Sequence, residues 1–259
     1  ISRIKLFNWK NFHDCEVALS ERCFIVGANA TGKSNFLDVI RFMRDIVKQG
    51  GGLQAAVALR GGLKKIRCLA ARQRTEVCID VDICENGQSS PKWRYSLELS
   101  NKGGGIQKPY PLVNREIAYN YYTKETVLDR KYNSKGEDSE TLKFTHLEQP
   151  TANAEFREIK DVFQTTEYLN VIPQFVRDAD SVMLSSGMED YFGRNFMERL
   201  SLLNTATRNK YLKIINEVLL TAVPQLENLS FVKDEKGVPH IEAKYNHWRA
   251  KGSKQNEKM

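Results

Sequence analysis

Apolar and polar residues alternate along three stretches of the first half of the chain, Thr75 to Ile83, Trp93 to Leu99 and Glu116 to Tyr122. Successive side chains on a strand point to opposite faces of its sheet, so this period of two predicts half-buried antiparallel strands. Val127-Leu128-Asp129-Arg130 and Thr141 to His146 read as further strands of the same meander, with a turn at Asn133 to Asp138 and a flexible connection at Gly103-Gly104-Gly105. Upstream, the pattern predicts strands at 3–9, 15–19 and 22–26, then a helix over about 33–48 that Gly50-Gly51-Gly52 terminates. Leu53 to Leu59 forms a short second helix before Arg60-Gly61-Gly62. From about Asn153 the spacing turns helical: Glu155 to Leu169 is amphipathic, Pro173 interrupts the next stretch, and Asp190 to Leu203 and Ala206 to Val223 give two more helices. A hairpin over 229–245 comes next, and we find neither a heptad run nor an internal repeat.

One segment carries explicit chemistry. Gly27-Ala28-Asn29-Ala30-Thr31-Gly32-Lys33-Ser34 fits the phosphate-binding pattern GxxxxGK[ST] at every required position. The apolar run Cys23-Phe24-Ile25-Val26 precedes it as a buried strand would, and helical spacing continues from Asn35 to Met43. Glycines let the backbone curl close to an anion, so that successive N–H groups and the helix N-terminus point at phosphate oxygens. Lys33 is then placed to put a point charge on the outer phosphates, and the Ser34 hydroxyl to reach a bridging magnesium ion. Nucleotide-binding residues are therefore expected at Gly27, Ala28, Asn29, Ala30, Thr31, Gly32, Lys33, Ser34 and Asn35, with ATP and Mg2+ as cofactors.

Asn29 within the loop and Asn35 just after it give GANATGKSN, and upstream stands Asn8-Trp9-Lys10-Asn11-Phe12. Together these resemble the head-domain ATPases of the RecF, SMC and ABC type, within the AAA family, in which a first strand like "NFRSF" precedes a GxNxxGKSN loop. The likeness is specific over residues 1 to about 45, with Trp for Phe and Lys for Arg in the strand motif. It implies an α/β fold, a P-loop NTPase of ABC/RecF-like head type with a mixed sheet, an antiparallel β meander and a helical subdomain. On this plan residues 1–150 form the P-loop lobe, 151–228 the helical subdomain, and 229–259 a hairpin with a polar tail. The resemblance also implies a homodimer whose two heads sandwich ATP, each loop facing a signature Ser-Gly segment of the other. Lys10, at the Arg position of the strand motif, is the candidate contact to base or ribose. DNA and an effector protein are the further partners the resemblance suggests, in DNA repair or defence against foreign DNA.

Such a head also needs a signature and an acidic strand end. Leu184-Ser185-Ser186-Gly187-Met188 looks superficially like the signature, and Asp234-Glu235 like the acidic pair. More than one helix and a turn separates the two, and Lys233 interrupts the apolar run before Asp234. Asp234-Glu235-Lys236-Gly237 reads better as the turn of a hairpin. The catalytic residues are thus unassigned. A start at Ile1 without methionine and a polar run over 251–259 suggest a longer polypeptide in which those elements come later.

Composition narrows the setting. With 259 residues, 41% of them hydrophobic, the chain can bury one large core or a core with an inserted subdomain. No apolar run is long enough for a membrane span and no leader pattern opens the chain, so a cytoplasmic location without membrane contact is expected. Five cysteines, Cys15, Cys23, Cys68, Cys78 and Cys84, have no CxxC spacing and read as reduced thiols; the four histidines, His13, His146, His240 and His247, have no metal spacing. The net charge of +7 suits a polyanionic partner, with basic clusters at Arg60, Lys64, Lys65 and Arg67, at Arg72 and Arg74, and at Lys244, Arg249, Lys251 and Lys254. Arg60 at its glycine bend could approach phosphate or simply make a turn. Gln54 comes too soon after the loop for the magnesium-sensing glutamine of such heads, and Gln164 and Gln174 are unassigned. Two rivals stand beside the head-domain reading. A different P-loop class, such as a GTPase or small-molecule kinase, lacks its NKxD motif or arginine-rich lid here. A module whose ATP only controls assembly is compatible with all of these features.

Overall fold

The computed structural model describes residues 1–85, 87–88, 90–103, 109–134, 138–172, 174, 190–246 and 256–258. Its first unit, Ile1–Thr166, is built on a six-stranded sheet. The strands are β1 (Arg3–Trp9), β2 (Phe12–Ala18), β3 (Val77–Cys84), β4 (Pro91–Lys102), β5 (Tyr110–Asn120) and β6 (Glu125–Lys131), in the spatial order β2-β1-β3-β4-β5-β6. Every pairing is antiparallel. The alternation seen in the sequence is realised as burial: Val77, Ile79, Val81 and Ile83 on β3 and Trp93, Tyr95, Leu97 and Leu99 on β4 turn to the core.

Helices α1 (Lys33–Val47), α2 (Leu53–Ala58), α3 (Leu63–Ile66) and α4 (Arg157–Gln164) complete this unit. Phe36, Val39, Phe42, Met43 and Ile46 recur on one face of α1 and share the core with Ile4, Leu6 and Trp9 of β1 and with Ile159 and Phe163 of α4. Burying each such side chain stabilises the fold by about 1.5–3 kcal/mol before conformational entropy is subtracted.

A buried polar cluster ties the segment after β6 to the sheet. Glu116 on β5 has no exposed surface and accepts hydrogen bonds from Tyr95 Oη at 2.8 Å, Arg130 Nη1 at 3.2 Å and the backbone amides of His146 and Leu147 at 2.9 and 3.0 Å. Arg130 in turn donates to the carbonyls of Phe144 and Thr141. These bonds account for a departure from the sequence reading: Thr141 to His146 is not a strand but begins as a short 3-10 turn, Thr141–Lys143, and the carbonyls of Thr141 and Phe144 and the amide of His146 pair with Arg130 and Glu116 side chains in place of a neighbouring strand.

The second unit, Glu167–Met259, holds α5 (Phe196–Leu202), α6 (Thr205–Ala222) and a three-stranded antiparallel sheet of β7 (Leu226–Lys233), β8 (Pro239–Tyr245) and β9 (Asn256–Lys258). Asn204 caps α6 by accepting from the Thr207 amide at 2.8 Å. Leu200, Leu212, Leu226, Leu229 and Ala243 form its core. The helix expected from Asp190 begins only at Phe196, because Asp190 spends its carboxylate on the Arg194 and Asn195 amides. The helix expected over 155–169 is likewise shorter, with α4 ending at Gln164.

Two further expectations are corrected. Residues 22–26 form no strand: Phe24 and Val26 are 85% and 88% exposed, and no strand among the described residues pairs with them. The sheet is accordingly antiparallel among the described residues and not mixed. The signature-like segment 184–188, Pro173 and the basic positions Arg249, Lys251 and Lys254 lie outside the described residues, as does His247.

Candidate functional site

Residues 27–32 cross from the exposed segment after β2 to the first turn of α1. The path needs two left-handed residues, Ala30 at φ 65° and Gly32 at φ 104°. The second lies where only glycine is comfortable. Thr31 Oγ1 donates to the Ala28 carbonyl at 2.9 Å and closes the bend. Gly32 is the N-cap of α1, so no side chain caps the helix, and its first turn carries no acidic residue. The leading amides of a 15-residue helix are thus left facing outward with the positive end of its dipole. Ser34 is exposed beside them. Lys33 folds back over the loop, its Nζ 2.7 Å from the Gly27 carbonyl and 2.6 Å from that of Ala28.

The end of β1 and the turn after it brace this arrangement. Trp9 Nε1 donates to the Asn35 carbonyl at 2.8 Å from a fully buried ring. Asn11 Nδ2 donates to the Thr31 carbonyl at 3.3 Å, and its Oδ1 accepts from Asn35 Nδ2 at 2.8 Å. Sequence reasoning missed this role of Asn11, which stands there only as part of the strand motif; its one signal is its place at the turn after the first strand.

One turn into α1, Asp38 would oppose the positive helix end were it not neutralised. Lys10 Nζ sits 2.7 Å from Asp38 Oδ2, and Arg60 Nη2 sits 2.8 Å from Oδ1. Burial pushes the Asp38 carboxyl up, but the hydrogen bonds from Arg60 and Lys10 outweigh it and hold the group below its ordinary value. Arg60 also pairs with Asp45, 1% exposed, at 2.9 Å and covers the Phe42 ring. Arg60 is therefore engaged within the protein, fastening the end of α2 to α1, and the Lys10 ammonium faces Asp38.

The remaining candidates have structural partners. Gln54 Nε2 donates to the carbonyls of Pro111 and Lys143 at 3.0 and 2.8 Å, so it bridges α2 to the sheet side. Arg74 lies over Phe7 and 3.4 Å from Glu98, and Lys244 pairs with Glu227 at 3.4 Å. Lys64, Lys65 and Arg72 are exposed. Asp234 Oδ1 accepts from the Lys236 and Val238 amides at 2.9 and 2.8 Å, which makes it the anchor of the β7–β8 hairpin turn as the sequence suggested. His13 stacks edge-on against Phe7, and among the described residues no three His, Cys, Asp or Glu side chains converge as metal ligands. A cavity of about 630 Å3 lies away from the loop, where α1 ends, beside Gly50–Gly52, Glu148 and Lys160. α1, with 15 residues, is about 22 Å long, which sets the scale of that separation.

An α/β unit with a glycine-rich turn feeding an uncapped helix, Lys33 and Ser34 at its head, defines a P-loop ATPase-like domain. The family described as "AAA domain, putative AbiEii toxin, Type IV TA system" matches residues 23–173, and the "P-loop containing region of AAA domain" matches residues 1–43. The first match spans more than half of the 259 residues, and the chain belongs to that AAA family. No curated protein matches it. No described helix is long and apolar enough to cross a membrane.

Proposed function

We propose that this chain is the ATP-binding head of a RecF/SMC-like ATPase, acting in the cytoplasm in defence against foreign DNA or in DNA repair. The observation that carries the reading is the outward-facing, uncapped N-terminus of α1 at the end of the GANATGKS loop, with Lys33 folded over it. Backbone amides of residues 27–35 and Lys33 hold the phosphates. Magnesium takes most of its ligands from water and phosphate oxygens, so one exposed hydroxyl, Ser34, is a sufficient protein donor. A bound ion would neutralise charge on the outer phosphates; the residues present here bind and orient. The family description, with its reference to an AbiEii toxin and a type IV toxin–antitoxin system, supports the defence setting over repair. A homodimer through ATP-sandwiched heads, DNA and an effector protein are the partners this reading entails.

One observation favours a second reading. Asp234 is committed to its turn, so the acidic pair nearest to the family pattern is not free for hydrolysis. Nucleotide would then control assembly rather than be consumed. Calorimetry and light scattering with ATP and magnesium, on the parent chain and on Lys33→Ala, test the main proposal. We expect binding and nucleotide-dependent dimers in the parent and neither in the variant. No ATP binding by the parent refutes the head-domain reading.

A further inference from the structure

We propose that Asn11 is a positioning residue that sets the loop's nucleotide affinity by clamping the peptide around Gly32. The inference rests on the nucleotide-binding reading above. Asn11 stands in the two-residue turn between β1 and β2, where Trp9 pairs with Phe12 and Lys10 is left-handed at φ 49°. Its carboxamide uses both ends at once. Nδ2 takes the carbonyl of Thr31, the residue before Gly32, and Oδ1 takes Nδ2 of Asn35, three residues after it. Between these two anchors the carboxamide lies against the Gly32 α-carbon so closely that a Cβ at position 32 would collide with it. Asn11 thus occupies the space a side chain at 32 would fill, while φ 104° at Gly32 keeps the loop in the conformation that exposes the α1 amides.

The clamp matters because of when conformational entropy is lost. Fixing a residue's backbone costs about 1–2 kcal/mol. If Asn11 fixes the loop before nucleotide arrives, that cost is met in folding; without it, the cost falls on binding. Residues 23–31 are exposed and carry no strand pairing, so few other contacts hold the loop from its N-terminal side. Trp9 holds Asn35 from the core, but it does not reach residue 31.

The test compares the parent with Asn11→Ala, Asn35→Ala and the double variant, using ATP with magnesium in calorimetry, thermal unfolding, and, without nucleotide, hydrogen exchange of the Phe36 amide, which donates to the Gly32 carbonyl at 2.9 Å. Asn11 is exposed, so the melting temperature of Asn11→Ala should stay within a degree or two of the parent. Its Kd for ATP should rise about tenfold, which is about 1.4 kcal/mol. Exchange at Phe36 should quicken, and Asn35→Ala should add little on top of Asn11→Ala because the two side chains form one hydrogen bond. Asn11→Asp keeps the acceptor, loses the donor and adds charge facing the phosphates, so it should bind more weakly than Asn11→Ala. An Asn11→Ala protein that binds ATP as the parent does, or exchanges at Phe36 as slowly, overturns the clamp alone. A parent that does not bind ATP overturns the nucleotide reading and the clamp with it.

Discussion

Glu116→Ala removes the acceptor at the centre of the first unit's polar cluster. Four donors lose their partner together: the Tyr95 hydroxyl, one Arg130 nitrogen and the amides of His146 and Leu147. Glu116 is 0% and Arg130 3% exposed, so water cannot replace the carboxylate without opening the core. Breaking one partner of a buried pair costs about 3–5 kcal/mol, and each stranded neutral donor about 1–3 kcal/mol, with heavy overlap among terms that share one site. Arg130 keeps the Phe144 and Thr141 carbonyls, which limits its share. We expect a loss of about 4 kcal/mol, or roughly 8–16 °C in the melting temperature of a domain this size. Urea titration followed by tryptophan fluorescence reads it, since Trp9 and Trp93 both belong to the first unit's core. Adding Arg130→Met to Glu116→Ala should recover part of the loss, because the guanidinium desolvated beside the lost carboxylate is then absent. A single variant that loses under about 1 kcal/mol, the floor for one stranded donor, or a double variant that loses the sum of both, would refute the claim that these groups form one desolvated cluster.

Two other expected outcomes concern individual side chains. Asp38 is depressed by Arg60 and Lys10 against its burial, so its contribution is complete above the ordinary carboxylate pKa near 4 and fades as pH falls through the lower folded value; Asp38→Asn should cost roughly 1–3 kcal/mol at pH 7 and flatten the acid limb of the urea midpoint against pH. A variant whose acid limb matches the parent's contradicts this. Cys23 is exposed with its thiol lowered by hydrogen bonds from the Ser20 backbone and hydroxyl, while burial pushes Cys78 up to about 12. Iodoacetamide at pH 8 should label Cys23 well before Cys78 by mass spectrometry, and equal rates would mean the strand around Cys78 opens readily.

How much the sequence revealed depended on whether a segment's partners were local. The β3 and β4 strands were legible because each alternates and pairs with its neighbour in the chain, whereas of β5 only Glu116 to Asn120 was read, since Pro111, Leu112 and Val113 are buried in succession. The loop was legible because its chemistry is a contiguous pattern. Phe24-Ile25-Val26 misled because apolarity makes a strand only where another strand pairs with it, and none of the described strands does. Thr141 to His146 misled because its backbone is satisfied by Glu116 and Arg130, side chains far away in sequence. Arg60 beside its two glycines left a phosphate contact and a simple turn both open, and in the fold two aspartates on α1 hold it. Asn11 was invisible for the same reason: its value lies in reaching Thr31 and Asn35 across the turn of another element.

The place of β1 between β2 and β3 has a consequence for synthesis. Lys5 finds its hairpin partner Glu16 almost at once, but its other neighbour, Asp80, is joined only after the loop and three helices have been made. At about 5–20 residues per second, roughly 3–13 s of translation separate the two events. Throughout that interval β1 has an open edge over Arg3 to Phe7, and its loop end, Asn8 to Lys10, is joined on that side somewhat sooner, by residues 66–68. A nascent chain therefore displays its phosphate-binding sequence well before the sheet behind it is closed.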